Sequence, residues 1–222
     1  MQITKRDGSK QELDLNKIHA VLTWACEGAN DDALHPIKGV SISQIEMGAK
    51  LHFYDGMPTK QIHETLIKAA AELISEDFPN YDQVAARLVW FSVRKEAFRN
   101  NLPPHLYSVV QANIKNGVYT SELFDMYTRE EFDELNAKIE QKRENIFKYD
   151  DAEQMRKKYL AQNRKTKKIY ESFQFPYILV AAILFSKYPK TTRLKYVKKY
   201  YDLISQHYIS LPTPIMAGLR TK

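Results

Sequence analysis

Met1-Gln-Ile-Thr-Lys-Arg-Asp-Gly-Ser-Lys-Gln-Glu-Leu-Asp-Leu-Asn-Lys-Ile18 opens the chain and decides how the rest of it is read. Residues 2–5 and 10–13 flank Arg6-Asp-Gly-Ser9. Asp-Gly between two short strand-like runs predicts a type I′ turn with positive φ at both central positions, and so a β-hairpin over 2–13. Asp14 follows as an N-cap, Ile18, Val21, Leu22 and Ala25 recur at helical spacing, and Gly28 is a fitting helix stop. A hairpin thus runs straight into an amphipathic helix.

Working outward, 30–39 has mixed polarity and is expected to be loop. Ser43-Gln-Ile-Glu46 fits a capping box opening a second helix through about Tyr54, and Asp55-Gly56 turns the chain. Thr59 is the expected cap of a third helix with one apolar stripe, Ile62, Leu66, Ala69, Ala70 and Leu73. Phe78-Pro-Asn-Tyr81 breaks it, and Val84, Leu88, Val89, Phe91 and Val93 mark a fourth helix ending near Phe98. Asn100-Asn-Leu-Pro-Pro104 is the best candidate for a boundary between domains at 1–99 and 100–222. Beyond it, helices are expected at 105–116, 129–145, 149–160, 173–187 and 191–206, with a second capping box at Thr128-Arg-Glu-Glu131. Tyr159-Leu-Ala-Gln162 and Lys168-Ile-Tyr-Glu171 could form a small hairpin around a basic tip. The fold class is therefore mainly α.

The 222 residues suffice for one or two domains with cores of their own, and 44% hydrophobic with 27% charged residues is ordinary for a folded domain. The longest apolar run, Phe175-Pro-Tyr-Ile-Leu-Val-Ala-Ala-Ile-Leu-Phe185, falls well short of the roughly 20 residues needed to span a bilayer. No signal peptide opens the chain, and a single cysteine cannot close an internal disulfide, which fits a reducing cytoplasm. The net charge of +6 is spread over Arg156-Lys-Lys158, Arg164-Lys-Thr-Lys-Lys168 and Lys195-Tyr-Val-Lys-Lys199 with no nucleic-acid module, so solvated helix faces and a hairpin tip are expected rather than a nucleic-acid footprint.

A nucleoside triphosphate needs cations and N–H donors converging from several segments, because charge-assisted bonds to phosphate are short and strong. Lys5, Lys17 and Lys95 stand on different elements; Asp14 to Lys17 and Thr59 stand at helix starts, where free N–H groups and the dipole favour an anion. Taken singly these residues have plain structural explanations: solvated lysines, a helix cap at Thr59, a packed histidine at His63. Together, Thr4-Lys-Arg-Asp-Gly8, Leu15-Asn-Lys-Ile18, Asp55-Gly-Met-Pro-Thr59-Lys-Gln-Ile-His63, Ala85-Ala-Arg87 and Arg94-Lys95 resemble, in order and spacing, the ATP-cone of ribonucleotide reductases, a β-hairpin plus four-helix bundle. The resemblance implies allosteric binding of ATP or dATP by Lys5, Gln11, Glu12, Leu13, Asp14, Leu15, Asn16, Lys17, Thr59, His63 and Lys95.

The second half is similar to the helical N-terminal part of the class I reductase large-subunit catalytic domain. Its marks are Lys158-Tyr-Leu-Ala-Gln-Asn163, Ile169-Tyr-Glu-Ser172, Arg193-Leu-Lys-Tyr-Val197 and Ile209-Ser-Leu-Pro-Thr-Pro-Ile-Met216. By that resemblance the last stretch is the first strand of the α/β-barrel, and Thr213 touches the substrate diphosphate; without it, Thr213 between two prolines is simply a rigid extended residue. The reductase reaction, as the resemblance implies it, needs several cysteines, whereas Cys26 stands alone among apolar neighbours and is expected to be a small buried hydrophobe. No catalytic or metal-ligating residue is therefore assigned here. The expected partners are a C-terminal polypeptide carrying the catalytic cysteines, as in a split or truncated subunit, a radical-generating small subunit holding the metal cofactor, and further large subunits. A free-standing nucleotide sensor and an inactive fragment are the alternatives.

Overall fold

The computed structural model describes residues 1–29, 31 and 34–222; Asn30, Asp32 and Ala33, within the loop expected at 30–39, lie outside the described residues. The chain forms two compact units, one of Met1–Ser92 with Phe147–Glu153, the other of Val93–Ile146 with Gln154–Lys222.

In the first unit β1 (Gln2–Thr4) pairs antiparallel with β2 (Lys10–Glu12), Ile3 opposite Gln11. The turn differs from the expected type I′. Gly8 N–H donates to Lys5 O at 3.0 Å, Lys5 N–H donates to Ser9 O at 2.8 Å, and Gly8 alone has positive φ (86°). This is a three-residue loop with a glycine bulge. The Asp7 carboxylate decides it by accepting from Ser9 N–H at 2.9 Å, an Asx-type bond that leaves Asp7 in ordinary backbone space. A third strand, β3 (Met57–Pro58), was not expected; it lies parallel to β1, giving the order β2-β1-β3. Gly56 N–H donates to Gln2 O (2.8 Å), Gln2 N–H to Asp55 Oδ1 (2.7 Å) and Thr4 Oγ1 to Gly56 O (2.9 Å).

Helix α1 (Leu15–Glu27) is capped as read, Asp14 accepting from Asn16 N–H and Gly28 closing it at φ 72°. Helix α2 (Ile42–Lys50) starts earlier and ends earlier than expected, and its cap is Ser41, not Ser43. Ser41-Ile-Ser-Gln44 also fits a capping box, and Tyr81 selects it: its hydroxyl accepts from Ser41 N–H at 2.9 Å and donates to Gln44 Oε1 at 2.6 Å. Helix α3 (Thr59–Glu72) begins at Thr59 with Pro58 in the cap position, so Thr59 is its first residue rather than its cap. Helix α4 (Tyr81–Phe98) brings Arg87 into the first unit's core, where its guanidinium, 2% exposed, donates to Ala25 O (2.9 Å) and His35 O (3.0 Å).

The second unit is built around α9 (Gln174–Leu184), whose residues 174–182 are all buried, with α10 (Lys190–Ser205) and α11 (Thr213–Gly218) against it. Helices α5 (Leu106–Lys115), α6 (Glu122–Met126) and α7 (Arg129–Lys138) precede them. The Thr128 capping box forms as read, and Glu131 in it also pairs with Arg193 of α10. The helix expected over 129–145 stops at Lys138, because Ile139 is extended and Glu140 N–H donates to the Tyr201 hydroxyl at 3.1 Å; a 3-10 turn, Gln141–Ile146, follows. The helix expected over 149–160 is α8 (Tyr149–Gln154) running into a π turn, Met155–Tyr159. The expected hairpin around the basic tip reduces to one antiparallel bridge, Gln162 to Ile169.

Two buried ion pairs fasten this unit. Arg94 meets Glu144 at 2.8 Å, with side chains 3% and 0% exposed. Arg220 meets Glu171, both fully buried, and the same carboxylate accepts from the Tyr119 hydroxyl. The barrel strand expected over 209–216 is absent from this structure: residues 209–212 pair with no strand and Thr213–Gly218 is helical. Pro212 occupies the cap position and Pro214 the first turn of α11, where a missing N–H costs nothing, whereas in a ladder each proline would lose a bond.

Candidate effector cleft

A cleft of ≈ 150 Å³ opens in the first unit between β2, the start of α1 and the first two turns of α3. Ile3, Ile18, Ile62 and Leu66 make a buried apolar floor, and Gln11, Asp14, Lys17, Thr59 and His63 supply polar groups around it. The hairpin feeds straight into α1 and β3 straight into α3, so pairing β1 with both neighbours brings the two helix starts to one place.

The two helix starts differ electrostatically. At α1 the Asp14 carboxylate already satisfies Asn16 N–H at 3.0 Å and sits 3.7 Å from Lys17 Nζ. At α3 there is no side-chain cap, and the Thr59 hydroxyl makes no hydrogen bond among the described residues. The uncapped N–H groups and positive dipole end of α3 are thus the part of the rim suited to an anion. Lys17, 72% exposed, adds a mobile positive charge. His63 both lines the cleft and packs its ring 5.4 Å from Phe91, which lies 5.2 Å from Trp24.

Of the residues expected to bind nucleotide, the cleft gathers Gln11, Leu13, Asp14, Lys17, Thr59 and His63. Lys5, Glu12, Leu15 and Asn16 are exposed and do not line it, and Lys95 belongs to the second unit. The floor residues Ile18, Ile62 and Leu66 were legible as apolar stripes but carry no sign in sequence that a ligand surface rather than core lies above them. Thr213 is the exposed first residue of α11. Cys26 is buried and its thiol is pushed up to about 12 by burial, so it is no nucleophile at neutral pH. Among the described residues no group of three His, Cys, Asp or Glu could hold a metal, and no helix is long and apolar enough to cross a membrane.

Comparison with known proteins agrees with this architecture. Residues 1–96 match the ATP cone domain and residues 147–222 the ribonucleotide reductase all-alpha domain. The ribonucleoside-diphosphate reductase alpha subunit of Haemophilus influenzae is 50% identical over 221 residues, covering 100% of this chain and 28% of that protein. An alpha subunit of Escherichia coli is 51% identical over 219 residues, covering 99% and 28%, and that of Enterobacteria phage T4 is 36% identical over 221, covering 100% and 28%. The chain thus spans 28% of the length of these relatives. With both matched segments in the order and with the helical character that the fold displays, the chain carries an ATP cone domain and a ribonucleotide reductase all-alpha domain, the N-terminal portion of a ribonucleotide reductase alpha subunit.

Proposed function

We propose that this chain is the effector-binding N-terminal part of a ribonucleoside-diphosphate reductase alpha subunit and takes ATP or dATP in the cleft between the hairpin and the starts of α1 and α3. The observation that carries the reading is the meeting of Gln11, Asp14, Lys17, Thr59 and His63 over an apolar floor. At ≈ 150 Å³ the cleft is smaller than the roughly 300–1,000 Å³ of sites that enclose a drug-sized ligand. It suits one flat ring system, the base resting on Ile18, Ile62 and Leu66, while the phosphates lie on the rim against Lys17, Thr59 and the free N–H groups of α3. Lys5, Glu12, Leu15, Asn16 and Lys95 enter the proposal on the family resemblance alone, as does Thr213 as a contact of the substrate diphosphate.

The cysteine chemistry of the reductase lies outside these residues, since Cys26 is single and inert. On this reading the chain is inactive by itself, works with the polypeptide that carries the reactive cysteines and with a radical-generating small subunit, and passes the state of its cone to an assembly of alpha subunits. Calorimetric titration of the chain with ATP and dATP tests the effector assignment: saturable binding near one per chain is expected, and no heat from either nucleotide up to millimolar concentration refutes it. Cytidine diphosphate reduction, assayed with and without the cysteine-bearing polypeptide and the small subunit, tests the rest.

A further inference from the structure

Two side chains close the start of α5. Pro103 and Pro104 lead into His105, which holds the cap position, and Val109 N–H donates to His105 O at 3.2 Å. The first free donor of the helix, Leu106 N–H, goes to Asn136 Oδ1 of α7 at 2.8 Å. The second, Tyr107 N–H, goes to Nδ1 of the His105 ring at 3.2 Å. The other ring nitrogen, Nε2, lies 3.3 Å from Asp133 Oδ1, also on α7. The other side-chain caps among the described helices, Asp14, Ser41 and Thr128, accept through oxygens, which keep a lone pair whether or not they carry a hydrogen. An imidazole nitrogen does not: once protonated it can only donate.

These contacts fix the state of the ring. A backbone N–H only donates, so Nδ1 must present its lone pair; an ionised carboxylate only accepts, so Nε2 must carry the hydrogen. The neutral Nε2–H tautomer makes both bonds, and the other neutral tautomer makes neither. The imidazolium keeps Asp133 but sets Nδ1–H against Tyr107 N–H, donor against donor. It also places a positive charge at a helix N-terminus, where the dipole opposes it. Among the described residues the charged groups at the ring are Asp133 and, through it, Arg129, whose Nε donates to the same Asp133 Oδ1 at 3.0 Å and whose guanidinium lies 4.2 Å from the Tyr107 ring centroid. Asp133 is half exposed and already shared with Arg129, so it offers an imidazolium little compensation for the lost cap.

We propose that His105 is an acid-sensitive cap: the neutral ring closes the first turn of α5, and a proton taken up at Nδ1 releases the Tyr107 N–H and opens that turn. The Asn136 bond to Leu106 N–H does not depend on the proton, and Leu106 is fully buried, so the opening is confined to the first turn and leaves the packing of α5 on α7 in place. The device rests on neither the effector cleft nor the reductase reaction.

The test is nuclear magnetic resonance on the ¹⁵N-labelled chain, starting at about pH 8, where a histidine ring is ordinarily neutral, and lowering the pH until the His105 ring signals show it charged. At the start, the ring nitrogens should show Nδ1 bare and Nε2 protonated. As the ring charges, the protection of the Tyr107 amide against hydrogen exchange, corrected for the intrinsic pH dependence, should fall about fivefold, the size of a lost N-cap. His105→Asn is the control, because asparagine caps a helix through an oxygen and does not ionise. In that variant the Tyr107 amide should keep its protection over the same pH range. A ring that carries its hydrogen on Nδ1 at the start overturns the proposal. So does Tyr107 protection that is unchanged once the ring is charged, or an equal loss in His105→Asn.

Discussion

Removing the Lys17 ammonium while leaving the helix it stands on untouched is the sharpest probe of the effector cleft. Lys17 is 72% exposed and its only ion pair among the described residues is with Asp14, at 3.7 Å, so Lys17→Ala should cost the fold no more than about 1 kcal/mol. Its effect on a bound triphosphate is larger for two reasons. A charge-assisted contact is worth about 1.5–3 kcal/mol when formed, which exposure reduces. The Asp14 carboxylate, no longer neutralised, then faces the anion across the rim. A tenfold loss of ATP affinity, about 1.4 kcal/mol, is expected by calorimetry. Asp14→Asn supplies the opposite sign: asparagine caps α1 about as well as aspartate, so the helix stays while a negative charge leaves the rim, and ATP binding should tighten. Unchanged affinity in Lys17→Ala, or weaker binding in Asp14→Asn with an intact helix, would refute the electrostatic account of this rim.

Arg94→Leu removes the buried Arg94–Glu144 pair and should destabilise the chain by about 3–5 kcal/mol in urea unfolding; a loss under about 1 kcal/mol would show that the pair contributes little to the fold. Gly28→Ala forces a Cβ to within 2.7 Å of Leu34 O at φ 72°, so a melting-temperature drop equivalent to more than about 1 kcal/mol is expected, and an unchanged melting temperature would contradict the described α1 terminus. Burial opposes ionisation of Glu131, but Arg193 and the Thr128 amide outweigh it and hold the carboxyl below its ordinary range. A depressed folded value means the stabilisation is complete above the unfolded pKa of about 4.3 and fades as pH falls through the folded one. Glu131→Gln should therefore flatten the acid limb of the stability curve below about pH 4.3; an acid limb of unchanged steepness would remove the pair from that role.

Local chemistry carried much of the architecture. Asp14 and Gly28 bound α1 as read because each acts on its own backbone within a turn: an accepted N–H at one end, a left-handed residue at the other. Thr128 and Glu131 formed their box for the same reason. Where two local solutions were nearly equal, a distant residue chose. Ser41 and Ser43 both offered caps, and the Tyr81 hydroxyl took Ser41. The helix after Thr128 had the pattern to continue past Lys138, and the Tyr201 hydroxyl ended it. Pro212 and Pro214 fit an extended segment or a helix start, and in this structure they start α11.

The amino-acid sequence by itself determined the hairpin, the order of helices, the single cysteine and the family resemblance, because spacing, capping chemistry and motif order are properties of neighbours along the chain. Only the tertiary structure decided that Met57–Pro58 joins the sheet and that the Ile18, Ile62 and Leu66 stripes floor a cleft. Each of these depends on a partner dozens of residues away, and pairing at that distance is selected by burial and hydrogen-bond satisfaction across the whole unit, which no local pattern encodes.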